Sequence, residues 1–316
     1  EILRRMLLST AETGADVIIT EIGGTVGDIE SLPFIEAIRQ IKYQVGEENC
    51  CYIHLTLVPY MKKAGEIKTK PTQHSVKELQ ELGIQPDILM LRTEVPLTDA
   101  TREKLAQFCN VDTDCVIQNL TAKSIYEVPL IMEKEHLGDA VCKVLGLNTP
   151  PTALEDWAKM VNVFENPTHH VKIALVGKYI ELHDAYLSVV ESLTHGGIAN
   201  QASVEIDWID SETLVDDETT KKRLKDADGI IVPGGFGERG IEGMIRAAKY
   251  ARLNKVPYFG ICLGMQIMVI EWARDVLGWA DAHSTEINKE TKHPVIDLMP
   301  DQNGKILGGT LRLGKF

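Results

Sequence analysis

Short runs of Val, Ile and Leu punctuate the chain, separated by longer stretches in which apolar residues return every three or four positions. The short runs predict strands at 16–21, 51–58, 87–91, 115–118, 171–176, 203–209, 229–232 and 257–260. The longer ones predict helices at 1–15, 72–82, 98–109, 184–195, 240–253 and 267–277, with Leu3, Met6 and Leu7 on one face of the first. Continuous apolar runs, rather than strict alternation, predict strands buried on both faces, as in parallel sheets covered by helices. Both halves therefore read as α/β. The last stretch, 306–316, reads as a strand or hairpin.

The halves are divided by composition. Two Pro- and Asn-rich stretches, 147–152 and 165–170, flank one short predicted helix at 153–161. Proline cannot continue a helix and restricts the residue before it, so 147–170 reads as a linker between domains at 1–146 and 171–316. Two domains also suit a length of 316 residues.

Composition removes several classes. Apolar residues make up 44% and charged residues 25%, which excludes disordered, collagen-like and coiled-coil chains. Basic residues number 33 against 46 acidic, a net charge of −13, which disfavours nonspecific nucleic-acid binding or adhesion to anionic lipid. No apolar run approaches the roughly 20 residues that cross a bilayer. The first residue is Glu1, no signal-peptide pattern follows, and neither end reads as a natural terminus, so the expectation is a fragment. The six cysteines form no CxxC pair, so the expectation is reduced thiols in a cytoplasmic protein without a zinc site. Cys50 and Cys51 are expected on alternate faces of one strand.

Cys262 stands apart. It lies in Gly260-Ile-Cys-Leu-Gly264, after a predicted strand and before a predicted helix, with glycines two residues to either side. That is the arrangement of a nucleophile elbow, in which a tight turn presents the reactive atom and the helix N-terminus favours thiolate. The alternative is a core cysteine between packing glycines. Upstream, 229–240 runs from a strand into a loop with several glycines, whose exposed backbone N–H groups suit a developing oxyanion; a plain Gly-rich connection is the alternative.

In the first half, 16–31 predicts a buried strand delivering Glu21 to its carboxyl end, then a Gly-rich loop and two more carboxylates, Asp28 and Glu30. Ligands bind at that end of open α/β sheets, and a carboxylate there suits Mg²⁺. A turn with solvated acids remains the plainer alternative. The segment 65–74, Gly-Glu-Ile-Lys-Thr-Lys-Pro-Thr-Gln-His, opens a helix with two lysines, an arrangement suited to phosphates, although a solvated face would look similar.

Pro233-Gly-Gly-Phe-Gly237 with Gly260-Ile-Cys-Leu-Gly-Met-Gln266 resembles the class I glutamine amidotransferases. Glu21-Ile-Gly-Gly-Thr-Val-Gly-Asp-Ile-Glu-Ser31, His54-Leu-Thr-Leu-Val-Pro-Tyr60 and Lys68-Thr-Lys-Pro-Thr-Gln-His74 resemble the synthase half of the CTP synthase family. That likeness extends over Gly177-Lys-Tyr-Ile-Glu-Leu182 and Leu307-Gly-Gly-Thr-Leu-Arg-Leu-Gly314 to nearly the whole chain. It implies a P-loop-NTPase-like amidoligase domain and a flavodoxin-like amidotransferase domain. It also implies an ATP-dependent ligase that aminates UTP to CTP with ammonia from glutamine, uses Mg²⁺, is activated by GTP and inhibited by CTP, and forms a homotetramer.

By the same resemblance Cys262 is the nucleophile. Gly235, Leu263, Gly264, Met265 and Gln266 form the oxyanion and glutamine site, and Glu286 holds the substrate amine. Lys68, Thr69, Lys70, Pro71, Thr72, Gln73 and Lys104 bind UTP or CTP. Asp28, Ile29 and Glu30 bind inhibitory CTP, Arg92 contacts ATP, and Glu21 is a Mg²⁺ ligand.

Two parts of the family pattern are not found. The general base, a His-Pro-Glu, has no match, because His293-Pro294 is followed by Val and reads as a strand entry. No G-x-x-x-x-G-K-[ST] occurs; Gly177-Lys178 comes nearest, with Lys172 in the place of the first glycine. The expectation is therefore an inactive fragment cut at both outer edges. Two other readings stay open: an amidotransferase serving another acceptor, and a non-catalytic nucleotide-binding scaffold.

Overall fold

The computed structural model describes residues 1–297, which leaves the expected strand at 306–316 and the motif at 307–314 outside the described residues. The chain divides into two compact units, Glu1–Val161 and one that begins at Asn162.

In the first unit, α1 (Ile2–Thr13) and α2 (Leu32–Val45) precede β1 (Ile53–Leu57). A small antiparallel pair, β2 (Tyr60–Met61) and β3 (Glu66–Ile67), leads into α3 (Lys70–Glu81). Next come β4 (Ile88–Thr93), α4 (Asp99–Cys109), β5 (Val116–Leu120), α5 (Val128–Lys134) and α6 (Leu137–Leu145). Beyond them, α7 (Glu155–Glu165) runs across the division. The main sheet is parallel in the order β1-β4-β5. Leu89, Leu91 and Val116 pack against α3 and α4 through Val76, Leu105 and Cys109, while Ile88 and Ile117 pack against α6 through Ala140. Thr98 caps α4 by accepting from the Thr101 N–H at 3.3 Å, which places its start one residue after the expected boundary.

Three expectations fail here. Residues 16–21 form no strand, and Val17 and Ile19 are 61% and 93% exposed. An apolar run supplies side chains for a core, but a strand also needs a hydrogen-bonded neighbour for its N–H and C=O groups, and this run pairs with none among the described residues. Second, β1 alternates strictly, with apolar Ile53, Leu55 and Leu57 exposed and polar His54 and Thr56 buried, so the strand is covered on one face only, and that face is the polar one. Third, Cys50 and Cys51 lie before β1 rather than in it.

The second unit alternates regularly: β6 (His169–Gly177), α8 (Leu187–Ala199), β7 (Ala202–Asp210), α9 (Asp217–Leu224), β8 (Gly229–Val232), α10 (Ile241–Asn254), β9 (Tyr258–Gly260) and α11 (Leu263–Asp275). The short parallel pair β10 (His283–Ser284) and β11 (Pro294–Ile296) follows, and His293 immediately precedes β11 as its sequence reading implied. The sheet is wholly parallel, in the order β7-β6-β8-β9. Here the two-face burial holds: Val176 and Val232 face α10 and α11, while Leu175 and Ile231 face Tyr186 and Val189. Chain order reverses between β6 and β8, so the switch point of the sheet lies there, where ligands bind in open α/β sheets.

Candidate active site

The three loops at the carboxyl ends of β6, β8 and β9 meet at that switch point. Cys262 sits between β9 and α11 with φ +53° and ψ −105°, a conformation that a side-chain-bearing residue adopts only under constraint. Its constraint comes from contact on both flanks. A Cβ on Gly260 would run into the backbone of Gly264, and one on Gly264 into the Val232 carbonyl. The Tyr258 hydroxyl, buried and so held well above the usual phenol range, donates to the Gly264 carbonyl oxygen at 2.9 Å. The thiol is exposed, as a nucleophile must be.

The Gly-rich loop after β8 lies directly against this elbow. A methyl placed on Gly234 would stand 3.6 Å from Cys262 Cβ, and one on Gly235 would stand 3.5 Å from Leu263 Cδ2. Both are ordinary van der Waals separations, so the loop rests directly on the elbow. The expected oxyanion and glutamine residues are thus neighbours: Gly235 and Leu263 across this contact, and Gly264, exposed Met265 and half-buried Gln266 along the first turn of α11. The N–H groups of Met265 and Gln266 donate to the Cys262 carbonyl, at 3.1 and 3.2 Å, and stay within the helix. Exposed Glu286 follows β10, and its charge reaches Lys178 beside the loop.

Lys178, a residue to which sequence reasoning gave no role, is the buried cation of the site. It is 4% exposed, and its ammonium donates to the Phe236 carbonyl at 3.1 Å and to the Gly237 carbonyl. Burial, then the nearby Arg239 guanidinium, hold it below the usual lysine range, while Glu286 and Glu212 pull the other way. A lysine directly after a continuous apolar strand is the signal that could have found it. His293 Nδ1–H donates to the Asp281 carboxylate at 2.5 Å, which holds that acid below its usual range, and the ring stacks on Trp279.

In the first unit the expected nucleotide residues gather at a carboxyl edge too, but loosely. The Lys68 N–H donates to the Pro59 carbonyl at 2.9 Å, which ties the 68–73 segment to the end of β1. Arg92, in β4, lies in register with Leu57 and is exposed. Lys68 pairs with Glu66 at 2.5 Å with both side chains half exposed, and the Lys70 ammonium lies 5.8 Å from the Phe108 ring centre. Thr69 is buried, and Pro71 and Gln73 fall in the first turn of α3, where Gln73 donates to the Thr69 hydroxyl at 3.3 Å. Thr72 is fully buried and its hydroxyl donates to the Leu57 carbonyl at 3.1 Å, so that group serves the packing of α3 on β1. Lys104 is exposed on α4.

Glu21 is not where the sequence put it. It is exposed on an irregular segment rather than at a strand end, because the strand that was to carry it does not form. Asp28 accepts from the Thr25 N–H at 2.9 Å and shapes the loop before Ile29, which is 83% exposed, and exposed Glu30. Among the described residues no three carboxylate, His or Cys groups converge into a metal-holding set. Glu21 fits Mg²⁺ only as one carboxylate alongside nucleotide phosphates, the usual manner for that ion. No helix among the described residues is long and apolar enough to cross a membrane.

Two family models match this chain: CTP synthase N-terminus over residues 1–147, and glutamine amidotransferase class-I over residues 181–312. The CTP synthase of Treponema denticola is 58% identical over 316 residues, covering all of this chain and 59% of that protein. That of Clostridium kluyveri is 59% identical over 317 residues with the same coverage. The chain thus spans about 59% of the length of these curated relatives. Among solved structures, the glutaminase domain of Trypanosoma brucei CTPS with bound acivicin is 48% identical, covering 43% of this chain and 53% of that one, at a TM-score of 0.41.

Proposed function

Because the chain belongs to the CTP synthase family, we propose that it supplies the glutaminase nucleophile and part of the nucleotide site of an enzyme that aminates UTP to CTP at the expense of ATP. The observation that carries the glutaminase half is the strained Cys262 elbow packed against the glycine loop at 234–235.

On this reading Cys262 sulfur adds to the γ-amide carbon of glutamine, and the carbonyl electron pair moves to oxygen. The Gly235 and Leu263 N–H groups donate to that oxyanion in a site whose dipoles are already oriented. Collapse breaks the C–N bond, the thiol proton leaves with the amine as ammonia, and water later cleaves the thioester to glutamate and free thiol. Glu286 offers a carboxylate to the substrate ammonium on the Lys178 side of the loop. In the first unit, Lys68, Lys70 and Arg92 supply cations to phosphate oxygens at the sheet edge, with Lys104 beside them on α4. The ATP γ-phosphoryl group passes to the UTP 4-oxygen, and ammonia then displaces phosphate. Bound Mg²⁺ would neutralise charge on the phosphates, with Glu21 as one of its ligands. A cytoplasmic setting, GTP activation, CTP inhibition at Asp28, Ile29 and Glu30, and a homotetramer belong to the same family reading.

The test is Cys262→Ala in a protein of the relatives' full length that contains this chain. Glutamine-dependent CTP formation should vanish while synthesis from free ammonia persists. Loss of both would contradict separate glutaminase and synthase sites, and retention of both would remove Cys262 from the chemistry.

A further inference from the structure

Consider what holds the oxyanion loop in place. The Gly235 N–H belongs to the peptide plane joining Gly234 to Gly235, which lies just past the end of β8. Glycine restricts its own backbone less than any other residue, so a loop of this composition needs external ties to present an N–H in one direction. Upstream, β8 provides them through its ladder with β6 and β9. Directly downstream, the ties on Phe236 and Gly237 come from the turn after β6. The Phe236 N–H donates to the Tyr179 hydroxyl at 3.4 Å. The Phe236 and Gly237 carbonyls both accept from Lys178 Nζ. Three consecutive peptide planes beyond Gly235 are therefore fixed by two adjacent side chains.

The clasp is itself anchored. The Lys178 and Tyr179 N–H groups both donate to the Tyr186 hydroxyl, at 3.1 and 3.3 Å, and Tyr186 is buried. Arg239, at the far end of the loop, donates to the Lys178 carbonyl at 2.6 Å and pairs with Glu212 at 3.0 Å. The Lys178 stem also lies under the loop: a Cβ on Gly235 would stand 3.3 Å from its Cδ. Burying an amine against backbone carbonyls is costly unless its hydrogen bonds are made in good geometry, so this lysine contributes position rather than a generous stability gain.

We propose that Lys178 is a positioning residue of the glutaminase site, holding the peptide planes after Gly235 so that its N–H meets the oxyanion formed at Cys262. The role rests on Cys262 being the nucleophile proposed above, and it adds a component absent from the elbow and glycine motifs. The Lys178 ammonium is spent on the Phe236 and Gly237 carbonyls, so it acts through the loop.

The test uses the 316-residue chain and needs no turnover. At alkaline pH, where a cysteine thiol ionises without help, Cys262 is labelled with an α-chloroketone analogue of glutamine. Sulfur adds as chloride leaves, and the ketone oxygen occupies the oxyanion position. N-ethylmaleimide alkylates the same thiolate without using that position, and chloroacetone lacks the glutamine portion. Lys178→Met should slow labelling by the glutamine analogue about 10²-fold, the scale of losing one oxyanion donor, with maleimide labelling unchanged. Lys178→Gln, which keeps an amide donor, should recover part of the rate. Tyr179→Phe, at a half-exposed position, should show a smaller loss and serves as the folded variant if Lys178→Met does not fold.

An unchanged chloroketone rate in Lys178→Gln and Tyr179→Phe overturns the proposal. So does equal slowing with both reagents, since that reports a damaged elbow rather than a misdirected N–H. If the wild-type chain labels no faster with the glutamine analogue than with chloroacetone, Cys262 is not a glutamine nucleophile and the role of Lys178 falls with it.

Discussion

The two carboxyl edges of this chain are built differently. In the second unit the nucleophile and its loop are held by packed neighbours: Cys262 by the fit of Gly264 against Val232, and the glycine loop by Lys178 and Tyr179. In the first unit the charged groups, Lys68, Lys70, Arg92 and Glu21, lie on the surface, and only hydroxyls such as Thr72 are drawn inside. The difference follows from chemistry. A sulfur atom and one oxyanion need donors placed to within a fraction of an ångström, and this is achieved by packing. A phosphate chain carries enough charge to order flexible cations as it binds, so the groups that await it can remain solvated.

The largest effect should come from breaking the tight edge. Gly264→Ala puts a methyl group into the Val232 carbonyl, a backbone atom that cannot move without disturbing the β8 ladder. We expect a loss of about 3 kcal/mol or more in the stability of the second unit, at the upper end of overpacking costs. Denaturant unfolding followed by exchange of β8 amides would read it. A variant that unfolds at the wild-type midpoint would mean the elbow is not held by this contact, and the contrast between the edges would lose its basis.

The same contrast explains what could be read from the chain. The parallel strands of the second unit, the elbow at Cys262 and the glycine loop were all legible, because each rests on local chemistry: a continuous apolar run, a glycine spacing, a helix start. Lys178 received no role because its partners are 58 and 59 positions away, and no local pattern announces a contact to a backbone carbonyl. In the first unit the run at 16–21 misled, since apolar content marks a segment able to pair without supplying the neighbour it pairs with. Glu21 was misplaced for that reason alone. The outward side chains of β1 were missed similarly, because Ile, Leu and Leu look the same in sequence whether covered or not.

A middling effect should sharpen the comparison from the other side. Lys68→Ala and Lys70→Ala remove half-exposed or exposed ammonium groups, so stability should change by less than about 0.5 kcal/mol. Nucleotide triphosphate affinity of a protein of the relatives' full length should nevertheless fall about tenfold for each, the value of one charge-assisted hydrogen bond. Calorimetric titration with UTP, beside a thermal melt, separates the two quantities. Loss of stability without loss of affinity would show that these lysines are structural, like Lys178, and that the edges do not differ in kind.

The smallest effect concerns acid, and it tests whether the units share a burial logic despite their different edges. Each holds one nearly buried histidine: His54 on β1, bonded to Ser75 at 3.0 Å, and His283 on β10, whose Nδ1 accepts from the Ser284 N–H at 2.9 Å. Both are held below the ordinary value of 6.5, His54 by burial, His283 by burial first and then by the Arg274 charge, with Glu242 and Glu238 opposing. A lowered value means that the folded state favours the neutral ring, so below 6.5 the unfolded chain takes up protons that the folded one refuses. The stability each ring permits is complete above 6.5 and declines as pH falls from there toward the folded value. The protection factors of β4 and β8 amides, each taken against the intrinsic exchange rate at the same pH, should therefore fall in parallel on mild acidification. His54→Gln should remove the acid response at β4 and leave it at β8. If β4 responds to acid as before, the ring on β1 is not buried neutral, and the outward face of that strand opens its inward face to water as well.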